Sequence, residues 1–191
     1  MTTEIEPATV DDIRGFLATM ARATASIFRS ATQEPWTRRS LEQLVLDLGQ
    51  PWQPQPLPEV FEQLIPKQCF LNTWELVRGE RSLRYVEGYA LSAGGVLPVQ
   101  HAWAVGRDDR VIDPTWNDPE HAAYYGVVIP KRSVQAMMTA TGYVGFFGND
   151  YLTGNVIQRL GRIPTPDEIR EGARDRRLAI RSRQKRDARR T

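Results

Sequence analysis

Three side chains capable of acyl-transfer chemistry occur in order along the sequence. Cys69 lies in Lys67-Gln68-Cys69-Phe70, His101 in Gln100-His101-Ala102-Trp103, and Asp113 in Val111-Ile112-Asp113-Pro114-Thr115-Trp116. A thiol attacks carbonyl carbon once a base removes its proton, and a carboxylate that holds an imidazole in one tautomer makes it such a base. Cysteine is also among the most often buried residue types, so the thiol gains meaning only from what positions it.

The spacing predicts elements suited to that task. Pro66 fits the first turn of a helix carrying Cys69, Leu71, Asn72, Leu76 and Val77 and ending at Gly79. A thiol there meets free backbone N–H groups and the positive end of the helix dipole, both of which favour thiolate. Arg84 to Leu91 alternates as a strand, with Tyr85, Glu87 and Tyr89 on one face and Val86, Gly88 and Ala90 on the other. Pro98 to Val105 reads as a second strand, with Val99, His101, Trp103 and Val105 together, and Arg110 to Asp113 as a third. If the turn at Gly106-Arg107-Asp108-Asp109 sets Val105 opposite Asp109, His101 falls opposite Asp113. Opposed side chains share a face with Cβ atoms about 5 Å apart. A slip of one residue would send Asp113 to the other face.

Ahead of these segments, a helix is expected from Thr9 to Ser30, with Ile13, Phe16, Leu17, Met20, Ala21, Ile27 and Phe28 as its apolar stripe. A second starts near Thr37 or Ser40, carries Leu41, Leu44, Val45 and Leu48, and stops at Gly49. Gln50 to Pro58 holds four prolines and reads as a stiff connector looped over the domain. Glu59 to Ile65 is expected to form a short turn or helix. After Tyr125, Val127 to Ile129 is a candidate strand and Lys131 to Thr141 a helix. Gly142 to Phe147 is a strand or an aromatic loop, and Tyr151 to Leu160 a last helix before Gly161.

Composition bounds the function class. At 191 residues, 41% hydrophobic and 9% aromatic, the chain suits one globular domain with appendages. No apolar run approaches the roughly 20 residues of a membrane span, so no membrane role is expected. Met1 to Glu6 lacks the apolar stretch of a secretory signal. One cysteine excludes an internal disulfide, and a cytoplasmic setting is expected. His101, His121, Asp113 and Cys69 show none of the short spacings of a metal site, so neither metal nor cofactor is expected; His121 reads as exposed or substrate-adjacent. The net charge of +2 conceals an asymmetry, because residues 165–191 carry ten Lys/Arg against five Asp/Glu and residues 1–164 are left at −3. A helix capped at Thr165 is expected there. Its basic character suits nucleic acid or another acidic partner, although it has no aromatic residue to stack on bases.

Gln68-Cys69-Phe70, Glu87-Gly88-Tyr89, His101-Ala102-Trp103 and Asp113-Pro114-Thr115-Trp116 together resemble the transglutaminase-like branch of the papain-like cysteine enzymes, and among these the small bacterial and phage members. The resemblance spans about Lys67 to Tyr125. It implies an α+β fold, with a nucleophile helix packed on a small antiparallel sheet. The rest of the chain lies outside the resemblance and reads as one domain over residues 1–164, with a helical front and connector at 1–58 and its core at 59–164, followed by a basic helix or tail at 165–191. The resemblance implies Cys69 as nucleophile, His101 as general base then acid, and Asp113 as orienter. The Cys69 N–H would line the oxyanion hole with Gln63 or Gln68, and Glu87, Trp103 and Trp116 would border the cleft. Phe70 stands where tryptophan is more usual, and no calcium-binding acidic loop is present. The implied activity is hydrolysis or transfer of an amide- or acyl-bearing substrate, a protein or peptide among them. The alternative is an inactive binding protein of the same fold that holds its partner through the basic tail.

Overall fold

The computed structural model describes residues 7–31 and 40–188, the side chains of 27–31 excepted. The side chains of Ile27 and Phe28, and Thr37, therefore lie outside the described residues. Within them the chain forms six α-helices and five strands, an α+β arrangement. In chain order these are α1 (Val10–Ala31), α2 (Leu41–Leu48), β1 (Gln50–Trp52), α3 (Cys69–Gly79), β2 (Arg84–Leu91), β3 (Val99–Val105), β4 (Val111–Ile112), β5 (Ala123–Ile129), α4 (Lys131–Thr141), α5 (Val156–Leu160) and α6 (Pro166–Asp187). No helix among the described residues is long and apolar enough to cross a membrane.

The strands pair antiparallel in the order β1-β5-β2-β3-β4. The sheet curls until its two edges meet: Gln53 bridges Arg110, and the Val111 N–H donates to the Gln53 carbonyl at 2.9 Å. Alternation then sorts side chains between two cores. Trp52, Val86, Ala90, Trp103, Val105, Val111 and Tyr124 fill the inside of the curl. Tyr85, Tyr89, Leu91, Ala102 and Ala104 face outward and are covered by helices, whose Ile13, Leu17, Leu44, Val45, Trp74 and Val77 join them. The inside is crowded enough to require glycine. A Cβ at Gly126 would lie 2.7 Å from the Trp103 ring and 2.9 Å from the Glu87 carbonyl.

Three sequence expectations change here, and two left open between alternatives are resolved. Proline had marked residues 50–58 as a connector, yet Gln50–Trp52 is an edge strand paired with Tyr124–Gly126. An edge tolerates Pro51 because the missing N–H need not face a neighbour. The helix bearing the thiol begins at Cys69 itself, because Lys67 takes a left-handed conformation (φ 65°) that Pro66 cannot lead straight into a helix. Residues 150–160 divide into a 3-10 turn (Asp150–Thr153) and α5, since Gly154 and Asn155 are both left-handed. Residues 142–147 form an aromatic loop rather than a strand, and residues 59–65 a turn rather than a helix.

The C-terminal helix is only half appendage. Thr165 and Glu168 form a reciprocal capping box, and Ile169, Gly172 and Ala173 are buried against the body. Gly172 passes so close to Thr153 that a Cβ would meet its carbonyl at 2.3 Å. From Arg177 to Ala188 every described residue is exposed.

Candidate active site

The predicted hairpin register is off by two residues. Val105 lies opposite Val111 and Ala104 opposite Ile112, because the connection is five residues wide rather than three. Asp109 turns it with a positive φ of 62°, and Arg84 clamps it, donating to the Gly106 carbonyl at 2.8 Å and pairing with Asp109. A shift of two preserves the face, so His101 and Asp113 still lie on one side of the sheet. Asp113 just beyond β4 reaches back diagonally, and His101 Nε2 sits 2.7 Å from its Oδ2.

Asp113 is fully buried and accepts from four donors. Besides His101 these are the Tyr124 hydroxyl at 2.9 Å on Oδ2, and the N–H groups of Thr115 (2.9 Å) and Trp116 (3.4 Å) on Oδ1. Burial, and then the charge of Asp113, raise the Tyr124 hydroxyl far above its ordinary value, so it stays protonated and donates. A carboxylate held this way accepts only, which puts a proton on His101 Nε2 and leaves Nδ1 as the ring atom that can exchange a proton with Cys69, whose proximity adds to the basicity of the ring. The imidazole is 2% exposed and the cysteine 8%. Burial alone would lower the basicity of His101. The hydrogen bonds to Asp113 and Cys69 outweigh it and raise the ring to about 9. Trp116 lies over the imidazole with ring centroids 4.4 Å apart and planes 25° from parallel.

The helix that presents Cys69 is tied to both partners. Asn72, one turn on from the thiol, donates to Thr115 Oγ1 at 3.0 Å and to the Ile65 carbonyl at 2.7 Å. Thr73 donates to the Ala102 carbonyl, next to His101, at 3.0 Å. Small side chains at Ala102 and Ala104 let α3 approach that closely. Asn72, Thr73 and Tyr124 were not singled out for the site from sequence, and Thr115 entered only as part of the Asp113-Pro114-Thr115-Trp116 motif. Asn72→Ala removes a buried clamp and strands the Thr115 hydroxyl. We expect a stability loss of about 1–3 kcal/mol in urea unfolding. A misplacement of about 1 Å costs on the order of 100-fold, so Cys69 acylation should slow by ~10–100-fold in stopped assays.

The remaining candidates divide. Gln63 is exposed, and its side-chain amide donates to the carbonyls of Pro114 (3.0 Å) and Trp116 (3.3 Å), tying the 59–65 turn to the Asp113 segment. Its two N–H donors are thereby occupied. Gln68, exposed and immediately before α3, makes no capping bond with its side chain. Glu87 does not border a cleft, because it is 2% exposed on the helix-covered face. Its carboxylate accepts from the N–H groups of Phe146 (2.6 Å) and Phe147 (2.7 Å) and from the Tyr85 hydroxyl (3.1 Å). Trp103 is likewise buried, inside the curled sheet, with its Nε1 unpartnered. Trp116 alone of the three borders open space. It walls a depression of about 500 Å³ with Pro66, Val99, Thr115, Asn117 and Asp118. His121 is exposed in the 3-10 turn Pro119–His121.

Compared with protein-family models, curated proteins and solved structures, the chain finds no match.

Proposed function

We propose that this protein is a cysteine-dependent acyl-transfer or amide-hydrolysing enzyme with a transglutaminase-like, papain-like core. The reading rests on one observation: a buried imidazole held by the Asp113 carboxylate at 2.7 Å, with the Cys69 thiol at the start of α3 near enough to raise its basicity. Supporting it are the chain order of thiol, imidazole and carboxylate and the packing of the thiol helix against a curled antiparallel sheet.

In the reaction this geometry serves, the His101 ring, basic to about 9, already holds the proton given up by Cys69 on Nδ1, and the sulfur attacks an acyl carbon. The carbonyl π pair moves onto oxygen, where the Cys69 N–H and the amide of Gln68 would receive it. Collapse of that adduct breaks the bond to the leaving group, which takes the proton back from His101, and a thioester remains on Cys69. Water or an amine then attacks the thioester with His101 again removing the proton. Asp113 holds the ring in the tautomer both steps need and stabilises the imidazolium between them.

The test is capture of the thioester. Incubation with a small activated ester at pH 7 should add one acyl mass to the intact chain, mapped to Cys69 and released by hydroxylamine. His101→Ala should abolish the adduct. An adduct that forms no faster than on the urea-unfolded chain would overturn the reading and leave a binding protein of this fold.

A further inference from the structure

We propose that the projecting half of α6 is a docking element for double-stranded DNA, lying in the major groove and reading the phosphate backbone rather than sequence. The argument is independent of the triad.

The two halves of α6 handle charge differently. In the packed half, Arg170 pairs with Asp167, and Arg174 with Glu171 and Asp175. In the projecting half, Arg181, Arg183, Lys185 and Arg186 have no carboxylate partner among the described residues, and Asp187 is the one acid there. These cations stand at i,i+4 (Arg181 and Lys185) and i,i+3 (Arg183 and Arg186), spacings at which like charges destabilise a helix by a few tenths of a kcal/mol each. This half buries no face that would offset the repulsion. The helix dipole favours Lys185 and Arg186 in the last turn but not Arg181 and Arg183 ahead of it, whereas an anionic partner accounts for all four.

Geometry narrows the partner. At about 100° per residue, Arg181 and Lys185 form one line of charge, and Arg183 and Arg186 another on nearly the opposite side. Charges so divided cannot converge on one small anion. They suit two walls of charge flanking the helix, and the B-DNA major groove, about 12 Å wide, admits a helix of 10–12 Å between two phosphate strands. The major groove of duplex RNA is too narrow and deep for this. A membrane surface calls for an apolar face, but Leu178 and Ile180 are two residues apart and so point to different sides. An acidic protein surface would be expected to meet aromatic or other apolar anchors, and residues 181–187 contain no apolar side chain.

The experiment measures binding of the full chain to a labelled 24-base-pair DNA duplex of mixed sequence by fluorescence anisotropy. Four phosphate contacts predict a slope of log affinity against log salt of about −3 to −4. Changing Arg181, Arg183, Lys185 and Arg186 together to glutamine should weaken binding at least ~10-fold at low salt and flatten that slope, with no fall in melting temperature because none of the four is buried and their mutual repulsion is relieved. A scrambled duplex should bind equally well and an RNA duplex several-fold more weakly. Absence of DNA binding, wild-type binding by the glutamine variant, or equal binding of RNA would each overturn the proposal, as would preference for anionic vesicles over DNA.

Discussion

Replacing Asp113 with alanine is expected to slow Cys69 acylation by about 10³–10⁴-fold, the scale on which a triad fails when its orienting carboxylate is lost. The cause is visible in the donors that converge on it. Without the carboxylate, the His101 Nε2–H, the Tyr124 hydroxyl and the Thr115 N–H lose their acceptor in a site sealed from water. Breaking a buried charged network from one side costs about 3–5 kcal/mol, so urea unfolding should register the change too. The diagnostic readout is the imidazole. Burial pulls its basicity down while Asp113 and Cys69 push it up, and the second effect wins, at about 9. Remove Asp113 and burial should win, taking the ring below its ordinary 6.5 in an NMR titration. Asp113→Asn keeps the volume and should show the same fall in basicity with a smaller stability loss. Acylation within ~10-fold of wild type in a folded Asp113→Asn protein would remove Asp113 from the orienting role.

The same residue shows what the sequence disclosed. Alternation placed His101 and Asp113 on one face correctly even though the assumed turn was too short, because the error was two residues and side chains alternate with period two. A width of three or five in that turn depends on Asp109 accepting a left-handed φ and on Arg84 bracing it from another strand, neither of which local pattern encodes. The Lys131–Thr141 helix was legible for the opposite reason: its ends are fixed locally, by Pro130 before it and by Gly142 with φ 82° after it. Strand β1 was hidden because its proline is acceptable only at an edge, and which strand is an edge is a property of the closed sheet. The residues that hold the site in register, Asn72, Thr73 and Tyr124, are ordinary polar side chains whose partners lie 43, 29 and 11 residues away. Glu87 was misplaced because its strand reads equally well from either side. Only the loop at Phe146 and Phe147 shows that the carboxylate points into the helix-covered core.

That buried carboxylate should make the protein less stable as pH rises through neutrality. Burial raises Glu87 from 4.5 to about 7, against the opposing pull of the Phe146 and Phe147 N–H groups and the Tyr85 hydroxyl. Below 4.5 both folded and unfolded chains hold the proton, and its contribution is fully present. Between 4.5 and 7 the unfolded chain gives it up first, so stability falls. Above 7 the folded chain carries the anion as well and the loss is complete, at about 3 kcal/mol. His101 also loses stabilisation with rising pH, but its window opens at 6.5 and closes near 9. Glu87→Gln separates the two. The amide has no proton to lose and mismatches one of the two N–H donors, so it should cost a constant about 1–3 kcal/mol while flattening the decline between pH 4.5 and 7. Urea unfolding across that range would disprove the assignment if the two stability curves ran parallel. The consequence reaches the active site, because the anchored loop packs on α3 beside the thiol: a Cβ on Gly145 would stand 3.5 Å from the Phe70 ring. Glu87 thus secures the wall against which the first turn of the Cys69 helix rests.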